Sequence, residues 1–185
     1  MRQPPPIDRV RTQPMRTDRS ASFNTAVRTC TTADAKAIAE IYNHYVRETV
    51  VTFEETPVTA DEMARRITDV GARFPWLVWD DDGAVAGYAY AAAWKARAAY
   101  RFAVETTIYL AASHQGRGIG SKLYGALLAE LKTRGFHSVV GGVALPNPAS
   151  VALHEKLGFK KVAHFAEVGR KLDRWVDVAY WQLIQ

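Results

Sequence analysis

Chemistry in this chain can be looked for at three places. The first is Glu105, the only carboxylate in the run Ala103-Val104-Glu105-Thr106-Thr107-Ile108-Tyr109-Leu110. β-Branched and aromatic residues predict a strand there, with Glu105, Thr107 and Tyr109 on one face and Thr106, Ile108 and Leu110 on the other. A carboxylate inside an apolar sheet is costly unless it is hydrogen-bonded or put to use. It either pairs with Arg97 or Arg101, or acts as a general base whose pKa burial raises. The second is His154, in the stretch Val151-Ala152-Leu153-His154. The third is His114-Gln115-Gly116-Arg117-Gly118-Ile119-Gly120-Ser121-Lys122. Its glycines allow positive φ and a close backbone approach to a ligand.

The elements around the glycines give them a purpose. A strand-like run, Thr106-Thr107-Ile108-Tyr109-Leu110-Ala111, leads in; Ile119, Leu123, Tyr124, Leu127, Leu128 and Leu131 follow with helical period. Strand, glycine turn and helix start bring unpaired N–H groups and the positive end of a helix dipole together. Either this is an ordinary helix start, or it cradles a phosphate. A nucleotide P-loop needs Gly-Lys-Ser/Thr, and Gly120-Ser121-Lys122 has the wrong order. A dinucleotide fingerprint needs G-x-G-x-x-G, whereas Gly116, Gly118 and Gly120 are spaced G-x-G-x-G.

The segment instead resembles Q/R-x-x-G-x-G/A, the pyrophosphate loop of the GNAT superfamily of acyl-CoA-dependent N-acyltransferases. A second signature of that superfamily, N-x-x-S/A-x-x-L-Y-x-x-x-G-F, is similar to Asn147-Pro148-Ala149-Ser150-Val151-Ala152-Leu153-His154-Glu155-Lys156-Leu157-Gly158-Phe159. His154 replaces the usual tyrosine, which is thought to protonate the leaving thiolate.

The element order agrees with the resemblance. Strands are expected at 26–31, 74–79, 84–93, 102–111, 138–144, 159–167 and 175–183, and helices at 36–47, 59–72, after the glycine loop, and at 149–157. Residues 48–57 are expected as an ordered loop, 80–83 as a hairpin turn, and Gly87 as a bulge or a close contact. The order β-α-α-β-β-β-α-β-α-β-β resembles the GNAT fold, an α/β domain on a mixed sheet, over 25–185.

Composition excludes several classes. With 185 residues, 48% hydrophobic and 23% charged, the chain suits one globular domain with a sizeable core. Its net charge of +5 is concentrated in residues 1–24, where Arg2, Arg9, Arg11, Arg16 and Arg19 stand against Asp8 and Asp18. No basic stripe with stacking aromatics suggests nucleic acid. No apolar run approaches a transmembrane span. The proline-containing segment 1–24 lacks a signal-peptide core and is expected to be a disordered tail, with Met15 an alternative start. Cys30 is the single cysteine, so no internal disulfide forms; this suits a reducing cytoplasm and argues against a thiol nucleophile.

The resemblance narrows further. Phe74-Pro75-Trp76-Leu77-Val78, Gly87-Tyr88-Ala89-Tyr90, Trp94-Lys95-Ala96-Arg97, Val104-Glu105-Thr106-Thr107-Ile108-Tyr109, Leu145-Pro146-Asn147, Leu153-His154-Glu155 and Trp175-x-Asp177-Val178-x-x-Trp181-Gln182 are similar to blocks of the phosphinothricin acetyltransferase family. That resemblance implies acetyl transfer from acetyl-CoA, without a metal, to the α-amine of an amino acid such as L-phosphinothricin or methionine sulfoximine, in a homodimer. It places the catalytic pair on Glu105 and His154. His154 either protonates the thiolate or shares the role of base. Acetyl-CoA would lie on the backbone of Ile108, Tyr109 and Leu110, on the loop Gln115, Gly116, Arg117, Gly118, Ile119, Gly120 and Ser121, and on Asn147 and Ser150. Phe53, Arg97, Tyr100, Thr107 and Tyr109 would wall the substrate. Arg170 and Asp173 depart from the family pattern, which has an aromatic and a turn glycine there. Lys95, Arg97 and Arg101 favour an anionic substrate over a polyamine or aminoglycoside. Another amine, or a non-catalytic acyl-CoA-binding module, are the competing readings.

Overall fold

The computed structural model describes residues 25–185, and the expected disordered tail lies outside the described residues. Seven strands form one mixed sheet in the order β1-β2-β3-β4-β5-β7-β6. They are β1 (Thr25–Thr29), β2 (Trp76–Asp81), β3 (Ala84–Ala93), β4 (Ala103–Leu110), β5 (Ser138–Leu145), β6 (Lys160–Lys171) and β7 (Arg174–Ile184). The helices are α1 (Ala35–Glu48), α2 (Ala60–Gly71), α3 (Ile119–Thr133) and α4 (Pro148–Lys156).

Each helix follows from its apolar spacing and its caps. On α1, Ile38, Ala39, Ile41, Tyr42, Tyr45 and Val46 recur every three or four residues and are buried. Thr59 caps α2, its hydroxyl accepting from the Glu62 N–H at 3.1 Å. These two helices cover Trp76, Val78, Tyr88 and Tyr109 on one face of the β1–β4 half. On the opposite face, Leu123, Leu127 and Leu131 of α3 pack on Val104, Val139 and Val143. Burying each of those leucines contributes about 1.5–3 kcal/mol. Gly135, at φ 79°, ends the chain's run beyond α3.

The feature that creates the site is the junction of the two halves. The strands β1 to β4 form an antiparallel meander. The parallel contact between β4 and β5 runs only from Ala103–Glu105 to Ser138–Val140. Beyond Glu105, β4 keeps its bonds to β3, and β5 pairs only with β7. A wedge opens, with Glu105 at its apex.

Several boundaries differ from expectation. The 80–83 turn tightens to Asp82-Gly83, both at positive φ, and β2 runs on to Asp81. Gly87 meets both of its alternatives: the register shifts opposite Ala86, and a Cβ on Gly87 would overlap the Leu110 side chain. The last two strands extend to Lys171 and from Arg174, joined by Leu172-Asp173 at φ 50° and 58°. Segment 49–59 is an irregular connection, as expected for the loop, with Glu48 still in α1. Among the described residues, no helix is long and apolar enough to cross a membrane.

Candidate active site

The glycine loop folds as an anion cradle. Gly116 and Gly118 have φ of 73° and 77°, with open space where a Cβ would stand. Gly118 is the N-cap of α3 in left-handed conformation and has no side chain to satisfy the helix start. The first-turn N–H groups of Ile119, Gly120 and Ser121 are therefore left for an external acceptor. The loop is pinned from the side. The Gln115 amide donates to the Tyr45 hydroxyl at 3.0 Å, and that hydroxyl donates to the Leu110 carbonyl at 2.6 Å. His114 Nε2 lies 3.1 Å from the Asp81 carboxylate. Arg117 remains mostly exposed, 3.9 Å from Asp81. Thus Gln115 turns its side chain into the fold and leaves only its backbone for a ligand.

The wedge continues the cradle. Ala111 N–H donates to Ala86 on β3. Backbone groups alternate along a strand, so those of Ile108 and Leu110 face the opening, whereas those of Tyr109 face β3. Gly120 packs against Leu110 and Leu153, which joins the loop, β4 and α4. A cavity of about 90 Å³ in the wedge is lined by Thr106, Thr107, Ile108, Tyr109, Gly142, Asn147, Ser150 and His154, among others. Asn147 caps α4, its side-chain oxygen accepting from Ser150 N–H at 3.1 Å, so its amide nitrogen is the group left for a ligand.

His154 is 3% exposed. Its Nδ1 lies 2.8 Å from the Ser150 carbonyl, which can only accept, so the proton sits on Nδ1. Nε2 then accepts from the Tyr124 hydroxyl at 3.2 Å. Tyr124 in turn stands 2.6 Å from the Thr106 hydroxyl, which is 3.2 Å from the Val140 carbonyl. Burial pushes the His154 pKa below its ordinary value, and the Ser150 contact opposes this only in part. The ring is held neutral.

Glu105 lies between residues of two cavities: its neighbour Thr106 lines the smaller and its strand partner Val140 the larger. Its carboxylate lies beside Gly142, in the wedge, and beside the Tyr180 ring. Tyr180 lines a second cavity of about 500 Å³ together with Trp94, Lys95, Tyr100, Phe165 and Gln182. Burial raises the Glu105 pKa above the usual carboxylate value, and Lys95 pulls the other way. Neither Arg97 nor Arg101 contributes, so the ion pair that was the alternative reading of Glu105 does not form.

The expected substrate wall is partly assembled. Tyr100 opens into the larger cavity; Thr107 lines the smaller one. Arg97 is exposed, just before the short 3-10 turn at Ala98–Tyr100. Phe53 is 42% exposed, one side of its ring covering Gly169. Tyr109 lines the smaller cavity, its ring packed among Tyr42, Tyr45 and Tyr88 with ring centroids 4.8–5.5 Å away. Sequence reasoning did not single out Tyr124, Thr106 or Tyr45. Tyr124 reads as one more apolar position of α3, and only its contact to a ring thirty residues away shows another role.

This architecture is that of an acyltransferase: a strand, glycine loop and helix beside an opened sheet. The chain belongs to the GNAT acetyltransferase family, whose domain model, "Acetyltransferase (GNAT) domain", matches residues 27–180. It is 43% identical to the phosphinothricin N-acetyltransferase of Streptomyces viridochromogenes, over 84% of this chain and 85% of that protein. It is 38% identical to the L-methionine sulfoximine/L-methionine sulfone acetyltransferase of Salmonella typhimurium, over 82% and 89% respectively. The crystal structure of a phosphinothricin acetyltransferase from Sinorhizobium meliloti in complex with acetyl-CoA superposes with a TM-score of 0.84. That match has 39% identity and covers 86% of this chain and 88% of the other.

Proposed function

We propose that this chain transfers the acetyl group of acetyl-CoA to the free α-amine of a small amino acid such as L-phosphinothricin or methionine sulfoximine or sulfone. The observation that carries the reading is the place of Glu105 at the apex of the wedge, with its neighbour Thr106 lining the smaller cavity and its strand partner Val140 the larger. An acyl donor in the wedge and an amine in the larger cavity meet at this carboxylate. The names of the relatives supply the substrate class. Acetylation of phosphinothricin would make the protein a herbicide-resistance determinant.

The glycine-loop backbone at 115–121 holds the pyrophosphate, and Ile108, Leu110, Asn147 and Ser150 hold the pantetheine arm. Glu105 takes a proton from the substrate ammonium, directly or through one water. The amine then attacks the thioester carbon; a C–N bond forms, the C–S bond breaks, and CoA leaves as a thiolate that takes up the proton released by the new amide nitrogen. His154, neutral and with its Nδ1–H on Ser150, is suited to accept a proton or orient Tyr124 more than to donate one. Cys30 lies in the β1–β2 region, three strands from β4, and burial pushes its thiol up to about 12, which leaves attack without a covalent enzyme intermediate.

Residues 25–185 form the catalytic domain on this reading, with 1–24 an appended tail. Exposed Val162, Phe165, Val168, Leu172 and Trp175 on β6, β7 and their turn favour a homodimer. The cytoplasm, where acetyl-CoA and reduced thiols are found, is the fitting compartment. The test is thiol release from acetyl-CoA across a panel of amino acids, polyamines and peptides. Turnover confined to amino acids and lost in Glu105→Gln supports the reading; acetyl-CoA binding with no turnover on any amine would point to a non-catalytic module.

A further inference from the structure

His154 lines the wedge cavity, yet both of its ring nitrogens are already engaged inside the fold. Nδ1 gives its proton to the Ser150 carbonyl at 2.8 Å, and the Ser150 hydroxyl stands farther off at 3.4 Å. Nε2 accepts from Tyr124 at 3.2 Å and is the atom nearest to the space that a Cβ on Gly141 would fill. The rings of Tyr124, Phe159 and Trp181 surround the imidazole, with centroids 5.3, 5.1 and 6.2 Å away. A carbonyl cannot hand on a proton, so exchange between His154 and the reactants runs through Tyr124.

Tyr124 is 0% exposed and lines neither cavity. Its hydroxyl has one proton, which goes to Nε2, so the 2.6 Å contact with Thr106 is donated by the threonine. The Val140 carbonyl, 3.2 Å from the same threonine hydroxyl, is the longer, competing acceptor. Thr106 does line the wedge cavity, beside Ile108, Asn147 and Ser150, and it follows Glu105 in the chain. Three hydrogen bonds therefore point the same way, from Thr106 to Tyr124, from Tyr124 to His154 and from His154 to the Ser150 carbonyl. Bonds aligned in this manner polarise one another.

We propose that Thr106 is the proton port of the site: its hydroxyl meets the reacting atoms, and Tyr124 and His154 behind it hold the proton between the two halves of the reaction. This deepens the acetyltransferase reading and rests on it. Once the amine has attacked, the nitrogen of the tetrahedral adduct carries one proton more than the amide keeps. That proton passes to Thr106 Oγ as the Thr106 proton moves to the Tyr124 oxygen and the Tyr124 proton to Nε2. The imidazolium so formed has an acceptor on each N–H, Ser150 on one side and Tyr124 on the other. When the C–S bond breaks, its electron pair leaves on sulfur and the shifts run backwards. Nε2 returns its proton to Tyr124, Tyr124 to Thr106, and Thr106 to the thiolate. The net change is one proton from nitrogen to sulfur, with all three side chains restored.

The experiment compares Thr106→Val, Tyr124→Phe and the double variant with wild type in the full chain. It reads kcat, amine KM, acetyl-CoA Kd and the single-turnover rate in mixtures of light and heavy water. Each single variant is expected to lower kcat by about 10²-fold or more, with both binding constants changed less than about threefold. The double variant should fall no further, because either change cuts the same chain. Thr106→Ser, which restores the hydroxyl, should recover most of the loss. The wild-type rate should follow a curve against the fraction of heavy water, since several protons move together. That curve should straighten in Tyr124→Phe, whereas a disturbance of packing alone leaves it bent. Near-normal kcat in either single variant, multiplied losses in the double, a straight wild-type line or an equal loss of acetyl-CoA affinity would overturn the proposal. If Thr106→Val does not fold, Tyr124→Phe carries the test alone. A wild-type chain with no turnover on any amine removes the acetyltransferase reading and the relay with it. An active wild type with an unimpaired Tyr124→Phe removes the relay only.

Discussion

The imidazole of His154 occupies the space in which a Cβ on Gly141 would stand. Helix α4 can bring its histidine onto β5 only because position 141 has no side chain. Gly141→Ala is expected to push the ring off Tyr124 and Ser150, lowering kcat and costing about 1–3 kcal/mol of stability as an overpacked core. Denaturant unfolding and turnover check this together; an alanine variant with unchanged activity would mean that the ring has room to move.

His154 also makes stability depend on pH in one direction. Its folded pKa lies below the unfolded value of about 6.5, so the unfolded chain binds the proton more readily. The stability it contributes is complete above that value and is lost as pH falls through it towards the folded pKa. Melting temperature should decline across that window in the wild type and decline less in His154→Gln.

On the proposed mechanism Glu105 sets the acidic limb of the rate profile. Only the carboxylate form accepts a proton, and burial raises its pKa, so kcat/KM should fall with acidification at a pH above the ordinary glutamate value of about 4.3. Lys95 favours the charged form, so Lys95→Met should move that limb to still higher pH. Glu105→Gln should lower kcat by about 10²–10⁴. A limb that stays in place in Lys95→Met would show that the titrating group is not Glu105.

Gly118 caps α3 at a φ of 77°. An alanine there costs about 1–2 kcal/mol in the left-handed region. It also shifts the N–H groups proposed to meet the pyrophosphate. Gly118→Ala should weaken acetyl-CoA binding in calorimetry by roughly tenfold or more, with a smaller effect on the amine KM.

Arg97 carries no partner in Glu105 and is free to meet an anion. Arginine's planar fork suits a carboxylate or a phosphinate bidentately. If it holds the α-carboxylate, Arg97→Ala should raise KM for phosphinothricin and for methionine sulfone alike, by several-fold. If it holds the phosphinate, phosphinothricin alone should suffer. Steady-state KM values for the two substrates decide between these roles.

The sequence was most legible where one local pattern carries one local structure. Gly116, Gly118 and Gly120 between an apolar strand and a leucine-rich helix give the loop outright, and Thr59 and Asn147 announce their helices. It was least legible at the β6–β7 turn. Strands are expected to stop at 167 and restart at 175, and Leu172-Asp173 lacks the Asn-Gly or Asp-Gly signature of a tight hairpin. Yet both residues take positive φ, and the strands run four residues further on one side and one on the other. Lys171, buried with its ammonium on the carbonyls of Tyr45 and Thr52, was hidden in that same stretch. Both partners are more than a hundred residues away, and a lysine in a charged stretch reads as a solvated one. The Thr106–Tyr124–His154 connection was hidden for the same reason: each residue looks like core until the three elements meet.

The short contact between β4 and β5 has an energetic corollary. The two halves of the sheet share hydrogen bonds only at its apex, so a ligand lying in the wedge does more than occupy it: it supplies the missing rung between two half-sheets. Binding free energy then becomes folding free energy, and resistance to heat rises with the logarithm of ligand concentration. CoA released after turnover keeps the pyrophosphate and pantetheine groups that make this rung and loses only the two-carbon acetyl unit. On the proposed binding mode the fold is stabilised almost as well by its product as by its donor, and turnover is expected to slow as free CoA accumulates.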